Sequence, residues 1–348
     1  MDPQPEAYPE KANAYMTAHA DHSIPSADWS FVIPCLNEED SLARTIRSIH
    51  KWLPANIPYE VIVADHGSTD DSKVIAKVNG ARVISVPNTS SLGSLRNTGA
   101  AAATGSVLLF LDADITLTAA WAENVLTVVQ TLENTAPTLT GSMAAPPAAA
   151  GWIAQAWEHG RNRAGLIRSL SGGHMVILKT HFDEVGGFPD DADSGEDDAL
   201  SARVWQAGGQ VVANPGLHVI HWGASSTLRE FFFRHFWHGL GDAKTLRSYI
   251  RSPTAAASTV FAMLYLTAVY ALSTGRVLVA FTLATIAMAL PAFLTWRRVR
   301  ATWDLRALQL LLLFWVYLWA RASAVVLSPF GLQRRRRRVT ADVKYRSG

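Results

Sequence analysis

The chain has 348 residues and a formal net charge of +2, with 49% hydrophobic and 17% charged residues. This near-neutral balance argues against a nucleic-acid-binding protein, and the single cysteine, Cys35, excludes an intrachain disulfide and a cysteine-ligated metal cluster. Apolar residues are concentrated after residue 253, which predicts a soluble front part and a membrane-bound back part. Residues 1–28 are polar and contain prolines, so they predict a tail rather than a signal peptide.

Short apolar runs alternate with helical patterns from residue 30 to residue 114, and this alternation predicts a parallel α/β sheet. The predicted strands are 30–34, 59–65, 81–86 and 106–114, and the helices between them are 39–53, 69–78 and 91–105. In the first of these helices, Leu42, Ile46, Ile49 and Leu53 recur at helical spacing, which predicts one buried face. Ligands bind at the carboxyl ends of such strands. Asp65, Asp112 and Asp114 stand at two of these ends, so we expect a ligand site there.

The following segment, up to residue 225, continues with mixed elements and an Ala/Pro-rich loop. We predict helices over 118–132, 151–163 and 196–209, strands over 138–144 and 174–179, and edge strands within 211–223. The helix from residue 196 begins with acidic residues and ends at glycine, and both features suit the helix dipole.

Residues 226–248 mix aromatic and basic side chains in one predicted helical region. Aromatic rings and cations together are typical of the membrane interface, where rings sit at headgroup depth and cations meet anionic lipid. The alternative is a helix packed on the core of the domain. The residues concerned are Phe231, Phe232, Phe233, Phe236 and Trp237, with Arg229, Arg234, His235 and His238.

Residues 254–275 and 277–296 are each long and apolar enough to span a bilayer. The link between them is short, so they form a hairpin, and basic residues at both of its ends predict that these ends are cytoplasmic. The third apolar stretch, 307–328, contains Arg321 and precedes the arginine run 334–338. We predict a re-entrant or interfacial helix that returns this run to the cytoplasm, with a full span as the alternative.

Two groups of acidic residues carry candidate chemistry. Two carboxylates at a strand end, such as Asp112 and Asp114, can hold one hard cation, although Asp-x-Asp also occurs in turns and helix caps. Glu196 and Asp197 open a helix, where a carboxylate beside other carboxylates can accept a proton; plain helix capping is the alternative. His221 follows an apolar strand and is a candidate metal ligand or phosphate contact, or a structural histidine.

Seven motifs from residue 29 to residue 225 together resemble the family-2 glycosyltransferases of the GT-A fold. They are VIPCLNEED, VIVADHGSTDDS, LGSLRNTGAAAATG, LLFLDADITL, FDEVGGF, GEDDALSARVWQAGG and the histidine that follows NPGLHVI. The resemblance implies a Rossmann-like nucleotide-sugar domain and an inverting transfer by direct displacement. It also implies a manganese or magnesium cofactor.

The resemblance assigns roles to individual residues of this chain. Asp197 would be the catalytic base, with Glu196 beside it, and Asp114 would be a metal ligand, with Asp112 and His221 as further candidates. Donor contacts would come from Pro34, Leu36, Glu38, Asp65, Arg96 and Asp112. His66 stands where many members of the family have a second acid, so the contact with the nucleotide base is open.

The Gln-x-x-Arg-Trp motif of processive synthases is absent from the sequence. The segment from His235 to Tyr249 resembles instead the glycine-rich basic segment of bacterial succinoglycan-type exopolysaccharide transferases. That likeness implies one sugar added to a lipid-linked saccharide at the inner leaflet, on the cytoplasmic side of the bacterial inner membrane. The donor expected from family 2 is a UDP-sugar. Arg229, Arg234, His235 and His238 would bind the diphosphate of the acceptor.

Two other functions stay open from the sequence. One is a polyprenyl-phosphate monosaccharide synthase, and the other is an inactive nucleotide-sugar-binding scaffold. The predicted organisation is a tail (1–28), the GT-A domain (29–225), an amphipathic interfacial region (226–252), a membrane region (253–330) and a basic tail (331–348). The sequence does not indicate the oligomeric state.

Overall fold

A computed structural model describes residues 28–87, 91–133, 135–158, 161, 164–190, 195–242, 246–299 and 304–327. The predicted tails, including the arginine run 334–338, lie outside these residues. The chain divides into two compact units. The first contains residues 1–147 and 162–223, and the second contains 148–161 and 224–348.

An eight-stranded sheet with strand order β3-β2-β1-β4-β8-β6-β9-β7 forms the centre of the first unit. Strands β1 to β4 are parallel to one another, as the sequence pattern predicts, whereas β8 runs antiparallel to both β4 and β6. The strands are β1 (Trp29–Cys35), β2 (Tyr59–Asp65), β3 (Arg82–Ser85), β4 (Val107–Leu111), β6 (Thr138–Gly141), β7 (Gly165–Leu166), β8 (His174–Leu178) and β9 (Gln210–Ala213).

Helices of the first unit are α1 (Leu42–Trp52), α2 (Ser72–Val78), α3 (Leu92–Ala102), α4 (Ala119–Glu133), α6 (Lys179–Glu184) and α7 (Glu196–Gln206). Alternation along the buried strands divides the core into two layers. In β1, Phe31 and Ile33 belong to one apolar cluster and Val32 to the other. In α1, Leu42, Ile46 and Ile49 are fully buried, which confirms the helix face predicted from their spacing.

A second, two-stranded sheet decides where His221 lies. Strand β5 (Ile115–Leu117) pairs antiparallel with β10 (Val219–His221), and His221 is in register with Ile115. The residue before Ile115 is Asp114, so this pairing brings together two side chains that are more than a hundred positions apart in the sequence.

The second unit is helical in its described residues: α5 (Trp152–Glu158), α8 (Leu228–Asp242), α9 (Leu246–Arg251), α10 (Pro253–Ser273), α11 (Val277–Val299) and α12 (Leu305–Leu327). The last three are long and apolar enough to cross a membrane. Many large apolar side chains on them are exposed, with Leu278 at 81% and Phe281 at 67%. Such surfaces are unfavourable in water and suit a hydrocarbon environment.

Helix α8 packs on α12 and α5, because Phe231 is buried in one cluster with Ile153, Ala156 and Leu313. The aromatic region after residue 226 therefore lies against the C-terminal helices. Helix α5, within the predicted domain 29–225, belongs to this unit as well. The third apolar segment is one continuous helix, and the prediction that it is re-entrant or interfacial stays a prediction.

Candidate active site

The carboxyl ends of β1, β2 and β4 gather several of the predicted donor-binding residues. Cys35, the last residue of β1, is in register with Asp65, the last residue of β2. Pro34 lies one position earlier, opposite Ala64, and Leu36 and Glu38 follow in the loop after β1. Leu36 is 41% exposed at this edge, so its side chain is available for contact with a ligand.

Asp65 is buried, and its carboxylate accepts hydrogen bonds from the backbone N–H groups of Gly67 and Ser68 at 3.1–3.3 Å. The two loops that follow β1 and β2 are tied together by Asn37, which has a left-handed backbone conformation (φ 54°). The Asn37 N–H donates to Ser68 Oγ, and the Thr69 N–H donates to Asn37 Oδ1. These hydrogen bonds connect the two loops at this edge of the sheet.

Arg96 joins the Asp-Ala-Asp segment to the start of α7. Its guanidinium is buried and donates to Glu196 Oε1 at 2.6 Å and to Asp112 Oδ1 at 2.8 Å. It also donates to the carbonyl oxygen of Gly172 at 3.1 Å. Burial alone would lower the pKa of Arg96, but the charges of Asp112 and Glu196 outweigh it, and the pKa is raised.

Asp197 lies in the first turn of α7, next to this ion-pair network. Its carboxylate accepts hydrogen bonds from the N–H groups of Gly172 at 3.0 Å and Asp198 at 2.9 Å. Burial raises the pKa of Asp197, and the neighbouring charge of Glu196 raises it further. A raised carboxyl pKa makes the ionised form more basic, which is what a general base requires.

Asp114 and His221 form a pair on the other side of the Asp-Ala-Asp segment, with 3.2 Å between Asp114 Oδ2 and His221 Nε2. The backbone here is held in place because Thr45 Oγ1 donates to the carbonyl oxygen of Ala113 at 2.7 Å. A Cβ atom at Gly223 would collide with Asp114 Oδ2. The glycine therefore leaves space directly beside this carboxylate.

These side chains fit a divalent cation of the manganese or magnesium type. In the described residues there is no group of three or more His, Cys, Asp or Glu side chains placed to hold a metal. Such ions are commonly held by one or two carboxylates, with waters and substrate phosphates completing the coordination. Gly173 gives further room, because a Cβ there would lie 3.3 Å from Asp112 Oδ2.

The structure separates the partners of the two aspartates. Asp112 is bound to Arg96, whereas Asp114 contacts His221. Of the two aspartates, Asp114 is therefore the one whose carboxylate contacts a histidine side chain.

Trp222 is a residue of this region that the sequence analysis did not single out. Its indole N–H donates to Thr116 Oγ1 at 3.0 Å, and the Arg44 guanidinium lies 4.2 Å from its ring centroid. The side chain is 42% exposed, directly after His221. An aromatic residue that follows a candidate ligand histidine was the available signal for it. The paired glycines 172 and 173 were a separate signal in the sequence. They indicated a place where side chains, here Arg96 and Asp112, come close to the backbone, which requires residues without a Cβ.

The four predicted acceptor-binding residues lie on α8 in the second unit. Arg229 is exposed, and its guanidinium lies 5.7 Å from the centroid of the Phe233 ring. His235 packs against aromatic rings, and its ring centroid is 6.1 Å from that of His238. Burial, and then the positive charges of His238, Arg321, Arg234 and Arg161, hold the pKa of His235 well below its usual value.

Comparisons with known proteins show relatives of part of the chain. An uncharacterized glycosyltransferase of Mycobacterium tuberculosis is 40% identical over 83 residues, which are 24% of this chain and 35% of that protein. Glucosyl-3-phosphoglycerate synthase of Mycolicibacterium smegmatis is 36% identical over 93 residues, 25% of this chain and 30% of the synthase. The chain thus spans about a third of the length of these curated relatives.

Among solved structures, a mannosyltransferase of Pyrobaculum calidifontis in complex with GDP-Man and Mn²⁺ has the same fold. The TM-score is 0.51 at 17% identity, over 91% of this chain and 93% of that one. Residues 30–143 match the family described as glycosyl transferase family 2. The match to glycosyl transferase family 2 is thus confined to residues 30–143, and the likeness to the mannosyltransferase shows a shared fold.

Proposed function

We propose that this chain is an inverting, metal-dependent glycosyltransferase that moves one sugar from a UDP-sugar to a lipid-linked saccharide in glycan biosynthesis. The observation that carries the proposal is the bridge made by Arg96 between Asp112 and Glu196. One buried cation fixes the distance between the Asp-Ala-Asp segment and the helix turn that contains Asp197. A transferase needs this control, because donor and base must meet at one anomeric carbon.

Asp114 and His221 would hold Mn²⁺ or Mg²⁺, with Asp112 as a further candidate ligand. The Mn²⁺ bound to the archaeal mannosyltransferase supports this choice of metal. When bound, the ion would neutralise charge that develops on the leaving diphosphate. Asp112, already oriented by Arg96, would face the ribose and diphosphate end of the donor, and Pro34, Leu36, Glu38 and Asp65 would contact its nucleoside.

Asp197 would take the proton of the attacking acceptor hydroxyl. The hydroxyl oxygen forms a bond to the anomeric carbon from the face opposite the diphosphate. As this bond forms, the bond from the anomeric carbon to the diphosphate oxygen breaks, and its electron pair leaves with the nucleoside diphosphate. One displacement inverts the anomeric centre, and it needs one base and no covalent nucleophile. Glu196, bound to Arg96, would keep the start of α7 in position.

The exposed apolar surfaces of α10 and α11 support a membrane location. We place the enzyme at the bacterial inner membrane with its catalytic domain in the cytoplasm, because basic residues flank both ends of the predicted hairpin. Arg229, Arg234, His235 and His238 would attract the anionic part of the acceptor. Labelling of a Val78→Cys variant, with Cys35 replaced by serine, in sealed inside-out and right-side-out vesicles tests the orientation, because Val78 is an exposed residue of the first unit.

A donor screen tests the activity itself. Purified full-length protein in lipid is incubated with Mn²⁺ and with UDP-glucose, UDP-galactose, UDP-N-acetylglucosamine or GDP-mannose, and released nucleoside diphosphate is measured. We expect release from one UDP-sugar that depends on added lipid acceptor, and loss of that release in excess chelator. Full activity in chelator would exclude the metal assignment, and no transfer with any donor would favour the inactive scaffold.

The mass of the lipid product separates the two enzymatic functions. Transfer to a lipid-diphosphate saccharide extends that saccharide by one sugar, whereas transfer to a bare polyprenyl phosphate gives a lipid monophosphate sugar. We expect the first product only. Product from the bare phosphate alone would replace the proposal with the polyprenyl-phosphate synthase.

A further inference from the structure

Three consecutive residues, His221, Trp222 and Gly223, surround Asp114. The side chain of His221 contacts the Asp114 carboxylate, with 3.2 Å between Nε2 and Oδ2. The backbone N–H of Trp222 donates to the Asp114 carbonyl oxygen at 2.9 Å. A Cβ atom at Gly223 would collide with Asp114 Oδ2 and would lie 3.2 Å from His221 Nε2. Trp222 thus joins a candidate metal ligand to the glycine that leaves space beside both ligands.

The two strands that contain these residues are short. Strands β5 and β10 have three residues each, and their register ends with His221 opposite Ile115. Asp114 and Trp222 lie one position beyond this last pair, where a short ladder separates easily unless other contacts hold it. The His221 N–H also donates to the Ala145 carbonyl oxygen at 2.8 Å. That bond holds His221 to a third segment, but it does not fix the distance from His221 to Asp114.

The side chain of Trp222 makes a second contact with β5. Its indole N–H donates to Thr116 Oγ1 at 3.0 Å, and Thr116 is a buried residue of this strand. Such a diagonal contact joins residues on the same face of two paired strands. The backbone and the side chain of Trp222 therefore bind β5 at two points, Asp114 and Thr116, on either side of Ile115.

The indole ring is also held on one face by helix α1. The Arg44 guanidinium lies 4.2 Å from the ring centroid. The next residue of α1, Thr45, donates to the Ala113 carbonyl oxygen, and Ser48 Oγ accepts from the Leu117 N–H at 3.1 Å. Helix α1 therefore contacts the Asp-Ala-Asp segment, strand β5 and the indole ring together.

Burial alone does not account for a tryptophan at this position, because 42% of the side chain is exposed. We infer that Trp222 is a positioning residue for the metal, and that its bond to Thr116 sets the distance between Asp114 Oδ2 and His221 Nε2. Groups that orient metal ligands without touching the ion change its affinity by about 10–100-fold. The inference rests on the proposed function for the metal-binding role of Asp114 and His221.

Direct binding of Mn²⁺ tests this role without any turnover. Purified full-length protein in detergent is titrated with Mn²⁺ in the presence of UDP, and the free ion is measured by electron paramagnetic resonance. Trp222→Phe keeps an aromatic ring and loses the indole N–H, whereas Thr116→Val keeps the shape of the side chain and loses the acceptor. We expect each substitution to raise the dissociation constant for Mn²⁺ by about tenfold, the lower end of the range for such groups.

The double variant separates one shared bond from two independent defects. Both substitutions remove the same hydrogen bond, so the protein with Trp222→Phe and Thr116→Val should also bind Mn²⁺ about tenfold more weakly than the wild type. Thr116→Ser keeps a hydroxyl group and should bind Mn²⁺ like the wild type. A loss of about a hundredfold in the double variant would mean that the two side chains act independently, and it would overturn the inference.

Trp205→Phe is the matched control. Trp205 is exposed to a similar extent, at 38%, and its indole N–H donates to the carbonyl oxygens of Ile167 and Arg168 at 3.3 and 3.2 Å. The substitution removes the same kind of hydrogen bond from the same unit, so the dissociation constant for Mn²⁺ should be unchanged. Thermal scans without metal check that both phenylalanine variants are folded.

Equal Mn²⁺ binding by the wild type and Trp222→Phe would overturn the inference, and so would an equal loss in Trp205→Phe. Absence of Mn²⁺ binding by the wild type would overturn the metal assignment and this inference together. Failure of the proposed transfer has a different signature. In that case no donor is turned over in the presence of lipid acceptor, but Mn²⁺ binding still depends on Trp222 and Thr116.

Discussion

Arginine enters the interior of both units of this chain, but its surroundings differ between them. In the first unit, Arg96 is matched by two carboxylates at 2.6 and 2.8 Å. In the second unit, Arg298 and Arg321 lie against aromatic rings. A buried ion pair leaves an uncompensated charge behind when one partner is removed, whereas a contact with a ring face leaves an apolar ring. The comparison therefore predicts a large loss of stability when Arg96 is removed and a smaller one when Arg321 is removed.

The largest effect is expected for Arg96→Leu. The substitution leaves Glu196 buried beside Asp197 without its cation, and breaking a buried ion pair in this way costs about 3–5 kcal/mol. Unfolding of the full-length protein in detergent measures this loss. The matched control is Arg82→Leu, which removes an exposed ion pair with Glu60 at 3.8 Å and should cost under ~1 kcal/mol. Similar losses in the two variants would remove Arg96 from the bridging role.

Asp197→Asn tests the catalytic role of the carboxylate that lies next to the Arg96 ion pairs. We expect transfer to fall by about 10²–10⁴-fold, the usual contribution of a general base, with donor binding retained. Retained turnover would exclude Asp197 as the base. In the wild type, the rate should fall as the pH decreases through the raised pKa of Asp197, because the base becomes protonated.

The same raised pKa has a consequence for folding. An acid with a higher pKa in the folded state than in the unfolded state binds more protons when folded. Stability therefore falls as the pH rises from the unfolded pKa to the folded one. The wild type should therefore lose stability as the pH rises through this window, whereas Asp197→Asn, which has no carboxyl group to titrate, should lose less; thermal scans of both proteins at several pH values measure this. The same pH dependence in the two proteins would indicate that the surroundings of the carboxyl group do not raise its pKa.

Gly223→Ala tests the other side of the Asp-Ala-Asp segment. The added Cβ would collide with Asp114 Oδ2 and push it away from His221. Disturbing the support of a metal ligand typically costs about 10–100-fold in metal affinity. We therefore expect the Mn²⁺ concentration for half-maximal activity to rise by that factor. Gly151→Ala, where nothing lies within 4 Å of the new Cβ, is the control and should leave this concentration unchanged.

Local patterns were sufficient to predict β1 to β4 and the buried face of α1, because periodicity reports which side of an element is buried. The Asp114–His221 contact could not be derived in the same way, since it depends on the pairing of β10 with β5. That pairing joins segments far apart in the sequence, and no local pattern of residues indicates it. The packing of α5 against α8 escaped prediction for a related reason, since the pattern of residues 151–163 shows a helix but not its partner.

The smallest effect on stability is expected for Arg321→Leu, and it gives the sharpest contrast with Arg96→Leu. Leucine keeps α12 apolar and removes the contact between the guanidinium and the Tyr317 ring. Such a contact contributes about 0.5–2 kcal/mol, so the free energy of unfolding should fall by no more than about 2 kcal/mol. If Arg321→Leu instead destabilises the protein as much as Arg96→Leu, Arg321 is a structural residue, and the two arginine clusters serve the same purpose.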